Sequence, residues 1–251
     1  MNNSLEDKLL KARLDDMLAL SEKNFMPVYS DFLDERQAFV LSSYMAELSY
    51  ADFVFWGGYE NAQRKILCVH PEYLTPEPED FPLNILEFSY RKSDKLTHRD
   101  FLGAVMSCSI KREKTGDILI ADGKAQIIVS SFVADYICSQ ITKVGKIGVS
   151  LSVTDKCSIE KIQNYLEING TVASLRLDCI LSLALRKSRE KTVQIIKKDG
   201  VELNFVTIFS SSVTMKENDV FSVRGFGNFI LSEVSGISSK GRLHVVIKKF
   251  I

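Results

Sequence analysis

Asp122-Gly123 sits between two strand-like runs, residues 117–121 and 124–130. A polar two-residue turn of this kind is a strong short-range signal for a β-hairpin, and it sets the frame into which the neighbouring segments must fit. Residues 83–91 read as a strand before it. Thr97, with Asp100 three residues on, caps a helix that runs to about Cys108. After the hairpin, Ser131 caps a helix to about Lys143, and residues 146–153 read as a last strand. The order βαββαβ predicts a ferredoxin-like domain over residues 79–155. Many RNA-binding modules use this topology, and so do many unrelated proteins. The third strand, 124–130, carries no aromatic ring on which a base could stack.

The flanking segments predict two further parts and an α+β fold class throughout. Leu5, Leu9, Leu10, Leu14, Met17 and Leu18 recur near helical spacing, and residues 33–48 do the same. Residues 52–56 and 65–70 are strand-like and joined across Gly57-Gly58. Three of the five prolines fall in residues 75–82, which predicts a linker and a boundary closing an acidic α+β domain over residues 1–78. Residues 156–173 read as a connector, and residues 174–251 as a small α+β domain.

A formal net charge of zero conceals a polarised chain. Residues 1–80 carry −8, residues 81–173 carry +2 and residues 174–251 carry +6. A basic end of this kind suits a polyanion. No apolar run is long enough for a membrane-spanning helix, and the charged first residues do not resemble a secretory signal. Five scattered cysteines without a C-x-x-C pair fit a reducing, cytoplasmic setting.

The most informative stretch follows residue 174. Ser174 reads as the N-cap of a helix whose Leu177, Ile180, Leu181, Ala184 and Leu185 share one face. Ser188 caps a second helix, closed at Gly200. Arg186, Lys187, Arg189 and Lys191 crowd around the start of that second helix. Free N–H groups, the helix dipole and arginine's planar fork of donors all favour a phosphate oxygen there.

This stretch resembles the S4 RNA-binding domain. The likeness rests on Arg176-Leu177-Asp178 opening the first helix, Ser188-Arg189 opening the second, residues 196–204 with Gly200 and Asn204, and residues 219–223. Asn218 stands where glycine is usual, and asparagine tolerates a left-handed backbone. Residues 55–73, 97–120 and 235–249 extend the resemblance to YlmH-type proteins, bacterial S4-domain proteins encoded near cell-division genes. That resemblance implies structured RNA (ribosomal RNA, with peptidyl-tRNA as a further candidate) and the large ribosomal subunit as partners, in the rescue of stalled translation. Carried onto this chain, it implies RNA contact by Arg176, Arg186, Lys187, Arg189 and Lys191, with Asp178 orienting an arginine. Lys240, Arg242, Lys248 and Lys249 could extend the basic face. Lys111, Arg112 and Lys114 form the expected second RNA surface, with His98 and Arg99 as possible contributors.

No catalytic, cofactor or metal site is expected. His98-Arg99-Asp100 copies part of a kinase catalytic loop, but a glycine-rich phosphate loop and D-F-G are missing. Gly225-Phe226-Gly227 lacks the third glycine and the helix of a dinucleotide site. The three histidines have no ligand spacing to a cysteine. Two alternatives remain open: an RNA-modifying enzyme with an unrecognised site in the N-terminal half, or an interaction factor for cell division. The acidic N-terminal domain, with Trp56 beside Gly57-Gly58 and Tyr59, is a candidate surface for a protein partner.

Overall fold

The computed structural model describes residues 5–160, 165–237 and 241–251. The fold is α+β, as expected. The chain forms two compact units, the larger reaching to residue 161 and the smaller running from residue 162 to the C-terminus.

The larger unit begins with α1 (Leu5–Asn24), β1 (Val28–Leu33), α2 (Glu35–Glu47), β2 (Phe53–Trp56) and β3 (Lys65–Val69). It continues with β4 (Leu83–Ser89), α3 (His98–Ser107), β5 (Thr115–Ala121), β6 (Lys124–Ser130), α4 (Ser131–Gln140), β7 (Lys143–Val144), β8 (Ile147–Gly148) and β9 (Ser150–Thr154). The first three strands form a sheet in the order β1-β3-β2, and the second sheet runs β5-β6-β4-β9. All neighbours in the second sheet are antiparallel, which with two crossover helices is the split βαβ arrangement. The hairpin turn falls at Asp122-Gly123, with Ala121 paired to Lys124. Gly123 has φ +75°, and a Cβ there would lie 2.8 Å from the Lys92 side chain.

Alternation along the strands decides the layering. Leu33, Leu67 and Val69 meet Leu10, Leu14, Leu41 and Met45 of α1 and α2. Phe32, Ile66 and Cys68 on the opposite face meet Ile85, Leu119 and Ile128 of the second sheet. Leu86, Phe88, Ile127 and Val129 then carry Phe101, Val105, Ala134 and Ile137 of α3 and α4. The order is helices, sheet, sheet, helices.

Two sequence expectations need correction here. Residues 75–82 do not separate two cores, because Phe81 is 4% exposed and belongs to the core shared by both sheets. Helical spacing on either side extends the helical reading up to Leu33, yet Val28–Leu33 is a strand, β1. Its register shifts between Tyr29 and Phe32, so the side chains around Ser30-Asp31 do not alternate.

The smaller unit comprises β10 (Tyr165–Val172), α5 (Leu177–Ala184), α6 (Arg189–Asp199), β11 (Val201–Leu203), β12 (Val206–Ile208), β13 (Val220–Val223), β14 (Gly227–Ile237) and β15 (Leu243–Phe250). One antiparallel sheet runs β10-β15-β14-β13-β11-β12. Leu177, Ile180 and Leu181 of α5 and Ile196 of α6 pack with Phe221, Phe229, Leu231 and Ile247 of the sheet. Part of the expected connector is therefore β10, paired with β15 from Tyr165↔Phe250 to Val172↔Leu243. Only Ile168 and Val172 of that strand are buried, too few to betray a strand in the sequence.

Candidate nucleic-acid interface

The corner between α5 and α6 is built by capping. Leu177 N–H donates to the Val213 carbonyl at 2.8 Å and Asp178 N–H to the Ser211 carbonyl at 3.3 Å. Main-chain acceptors thus take the first donors of α5, the N-cap position is Arg176, and Ser174 does not serve as the cap. At the other end, Arg186 N–H reaches the Leu183 carbonyl at 3.3 Å and Lys187 N–H reaches the Ser182 carbonyl at 3.1 Å. This pair of bonds is a Schellman closure, with Arg186 at φ 51° in the left-handed position that usually falls to glycine. Ser188 then caps α6 by accepting from Lys191 N–H at 3.4 Å, and Gly200 closes it.

Asp178 organises the corner. Its side chain is 2% exposed, whereas those of Arg176 and Arg189 are 43% and 56% exposed. Arg176 Nε donates to Asp178 Oδ1 at 3.1 Å, and Arg189 Nε donates to Oδ2 at 3.1 Å. Burial alone would raise the carboxyl, but hydrogen bonds from Arg189 and Arg176 outweigh it and hold Asp178 below the usual carboxylate range. The hydrogen bond to Asp178 holds Arg189 above its ordinary value. One carboxylate against two guanidinium groups leaves a positive excess, and remaining donors on each fork stay accessible. Thr192 Oγ1, fully buried, donates to the Arg189 carbonyl at 2.8 Å and lies 3.3 Å from the Asp178 carbonyl, which ties α6 to α5.

Around this triad Arg186 and Lys191 are exposed, and Lys187 is half-buried with its ammonium 5.4 Å from the centre of the Phe226 ring. A depression of about 330 Å³ beside α5 is lined by Thr171, Cys179, Ser182, Leu183, Arg189 and Arg242. Arg242 donates to the Thr171 carbonyl at 2.7 Å. Lys248 leans over Tyr165 and lies 3.8 Å from Glu167, and Lys249 lies over Phe229. Lys240 lies outside the described residues.

The remaining residues of the C-terminal motif are joinery. Asn204 Nδ2 donates to Asp219 Oδ1 at 2.8 Å and Asn204 Oδ1 accepts from Val220 N–H at 3.0 Å, clamping the β11–β12 hairpin to β13. Asn218, at φ 70°, adopts the left-handed conformation expected of it.

The expected second surface, Lys111-Arg112-Lys114, is arranged otherwise. Arg112 turns inward and donates to the carbonyls of Thr115 (2.6 Å) and Gly116 (3.1 Å), and burial lowers its pKa. Lys114 is paired with Asp31. Lys111 alone is strongly exposed, its side chain at 80%, with Glu113 3.8 Å away. The turn abuts a buried junction. Asp117 accepts from Tyr59 Oη (2.6 Å), Gln63 N–H (2.8 Å) and Arg64 N–H (3.1 Å), while Arg64 Nε donates to the Thr115 carbonyl at 2.9 Å. Burial and the bond to Asp117 push the Tyr59 hydroxyl well up. A Cβ at Gly57 would fall 2.3 Å from the Arg64 carbonyl, so the chain closes here only with glycine.

The face of the β5-β6-β4-β9 sheet turned away from α3 and α4 is covered over much of β4, β5 and β6, while Ser150 and Ser152 of β9 stay exposed. Part of it packs against the first sheet. Further along, Gln126, fully buried, accepts from Ser158 N–H (2.8 Å) and Ile159 N–H (3.1 Å) and donates to Glu87 (2.9 Å). Trp56 is half-buried against the core shared by the sheets. Among the described residues no helix is long and apolar enough to cross a membrane, and no group of three His, Cys, Asp or Glu side chains is placed to hold a metal.

Comparison with known proteins bears on both units. Residues 76–158 match the family model described as "Putative RNA-binding domain in YlmH". The ribosome-associated protein quality control protein P2 of Bacillus subtilis (strain 168) is 36% identical over 224 residues, covering 88% of this chain and 86% of that protein. Among solved structures, the cell division protein ylmH from Streptococcus pneumoniae matches with a TM-score of 0.52 and 25% identity, over 61% of this chain and 94% of the other.

Proposed function

The chain belongs to the YlmH-type family, and on that premise we propose that it is a non-catalytic protein that binds structured RNA through the α5–α6 corner, a corner of S4 type. Its target is ribosomal RNA or tRNA on the large ribosomal subunit, and its task is quality control of stalled translation. The reading draws on the ribosome-associated relative and on the RNA-binding description of the matched segment. One observation carries it: buried Asp178 braces Arg176 and Arg189 beside the start of α6, where Arg186 and Lys191 also stand exposed.

The chemistry is that of phosphate recognition. Braced guanidinium groups lose less rotamer freedom on binding than free ones, and the N–H groups opening α6 add partial positive charge. Among the described residues Arg186 and Lys191 take part in no ion pair, so their charge can be reversed without breaking one. Co-sedimentation of an R186E/K191E variant with large ribosomal subunits at graded salt tests the proposal. Loss of two phosphate contacts and gain of two repelling charges should weaken binding at least about tenfold at 0.1 M salt. Retention equal to that of the unaltered chain would reject this corner as the RNA-binding surface.

A further inference from the structure

Residues 76–158 match the model described as "Putative RNA-binding domain in YlmH", and we infer that the RNA contact of this larger unit lies at the end of the ferredoxin-like sheet where β4 finishes and β9 begins. Ser89 closes β4 and pairs with Ser150, the first residue of β9. The β5–β6 turn lies at the same end, since Ser89 also pairs with Lys124. Three connections therefore emerge together: residues 90–97 into α3, the turn at Asp122-Gly123, and residues 141–149 out of α4.

These connections are fixed to the body of the domain. Tyr90 N–H donates to the Gly123 carbonyl at 2.9 Å and Tyr90 Oη to the Ala121 carbonyl at 3.1 Å. Val149 N–H donates to the Thr142 carbonyl at 3.1 Å, closing the loop that contains β7 and β8. Val144 in that loop is fully buried with Phe101 and Val105 of α3. Charge presented here is held on ordered backbone.

Six cations stand on these segments and the first turn of α3: Arg91, Lys92, Lys95, Arg99, Lys143 and Lys146. All are exposed. Lys95 lies 3.7 Å from Asp122, and among the described residues the other five enter no ion pair. The acids nearby do little to cancel them. Asp100 is turned back onto Thr97, accepting from its N–H at 2.8 Å and its hydroxyl at 2.7 Å. Asp94 is the sole acid in residues 90–97, and residues 141–149 contain none. The excess is conspicuous in a unit that is acidic as a whole, with 19 Lys+Arg against 24 Asp+Glu over residues 3–161.

The occupant is the phosphate backbone of an RNA helix. Much of the sheet face is covered and its open part at β9 presents Ser150 and Ser152 with no ring for a base to stack on, so recognition in this unit falls to exposed charge at its ends. At the opposite end Arg112 and Lys114 are engaged within the fold, which leaves the β4–β9 end as the one where several cations remain unpaired. The inference rests on the proposal that the chain binds RNA, and locates a contact separate from the α5–α6 corner.

The full chain should be titrated by fluorescence anisotropy onto a labelled RNA duplex of about 20 base pairs across a potassium chloride series. R91E/K92E and K143E/K146E should each lower affinity about tenfold at 0.1 M salt and flatten the salt dependence by about two in log–log slope. K8E/K23E, on exposed positions of α1, makes the same change in net charge and should have little effect. Equal affinity for R91E/K92E and K8E/K23E overturns the inference, as does a loss of equal size in all three variants. Should R186E/K191E alone weaken binding, this second surface falls and the proposed function stands. If no variant changes duplex or ribosome binding, both fall.

Discussion

Arg186 sets a conformational preference against a charge. It occupies the left-handed position of a helix closure at φ 51°, where a side chain costs about 1 kcal/mol and glycine costs little. Replacement by glycine relieves that cost and adds some chain entropy to the unfolded state, for a net gain of about 0.5–1 kcal/mol. For a unit of roughly 90 residues this is an upward shift of about 3–6 °C. The same substitution removes one exposed cation beside the start of α6, which should weaken RNA binding about three- to tenfold at 0.1 M salt. Arg186→Ala separates the two effects, since it loses the charge but keeps the conformational cost. Thermal melts of the full chain, with hydrogen exchange following the C-terminal unit, measure one quantity, and co-sedimentation with large ribosomal subunits measures the other. If Arg186→Gly destabilises the unit, the closure argument is wrong. If both variants bind RNA like the unaltered chain, Arg186 does not face RNA.

Two further substitutions test parts of the fold that hold charge in place. Asp178→Asn should cost about 2 kcal/mol at pH 7, because it leaves Arg176 and Arg189 without their carboxylate. The folded carboxyl lies below its ordinary value, so its contribution is complete above about pH 4 and is lost as pH falls through the folded value. Urea titrations at pH 7 and pH 3 should therefore show the variant and the unaltered chain converging in acid, and a constant difference would contradict the sign. Arg112→Ala should cost about 1–3 kcal/mol in stability, since the Thr115 and Gly116 carbonyls lose their donor, while the folded variant keeps its RNA affinity. A drop in affinity without a drop in stability would return Arg112 to the RNA surface.

Legibility in the sequence followed how local each signal was. Asp122-Gly123 and the caps at Thr97 and Ser188 are written within a few residues, and all lie where the sequence puts them. The arginines around α6 were legible from their spacing to Ser188 and Gly200. Their bond to Asp178 was foreshadowed by the Arg176-Leu177-Asp178 triplet, but the burial of that carboxylate was not. An Arg189→Glu change, harmless to a freely exposed side chain, would set a second carboxylate against a buried one. Long-range facts were hidden. Nothing near Arg112 announces that its acceptors are the carbonyls of Thr115 and Gly116, and nothing near Phe81 announces a core shared with Phe32 and Ile66. The cations at 91, 92, 95, 99, 143 and 146 lie in segments more than forty residues apart, and only the pairing of Ser89 with Ser150 brings them to one end.

Both proposed surfaces are made of charge with few rings, and this would determine what they can discriminate. Phosphate contacts fix register and orientation, whereas base edges and stacking carry sequence. At the α5–α6 corner the Phe226 ring already has the Lys187 ammonium over one face, and in the larger unit the sheet face that could display rings is largely packed away. A chain built this way should bind many duplexes weakly and with strong salt dependence. Selectivity would then come from shape: two short cationic surfaces on two compact units gain affinity together on an RNA that offers phosphates to both at once. An RNA long enough to engage both units meets that requirement, and a large folded RNA does so most readily. The expected consequence is that joint engagement is lost when the units are supplied as separate chains, even where each retains its own contacts.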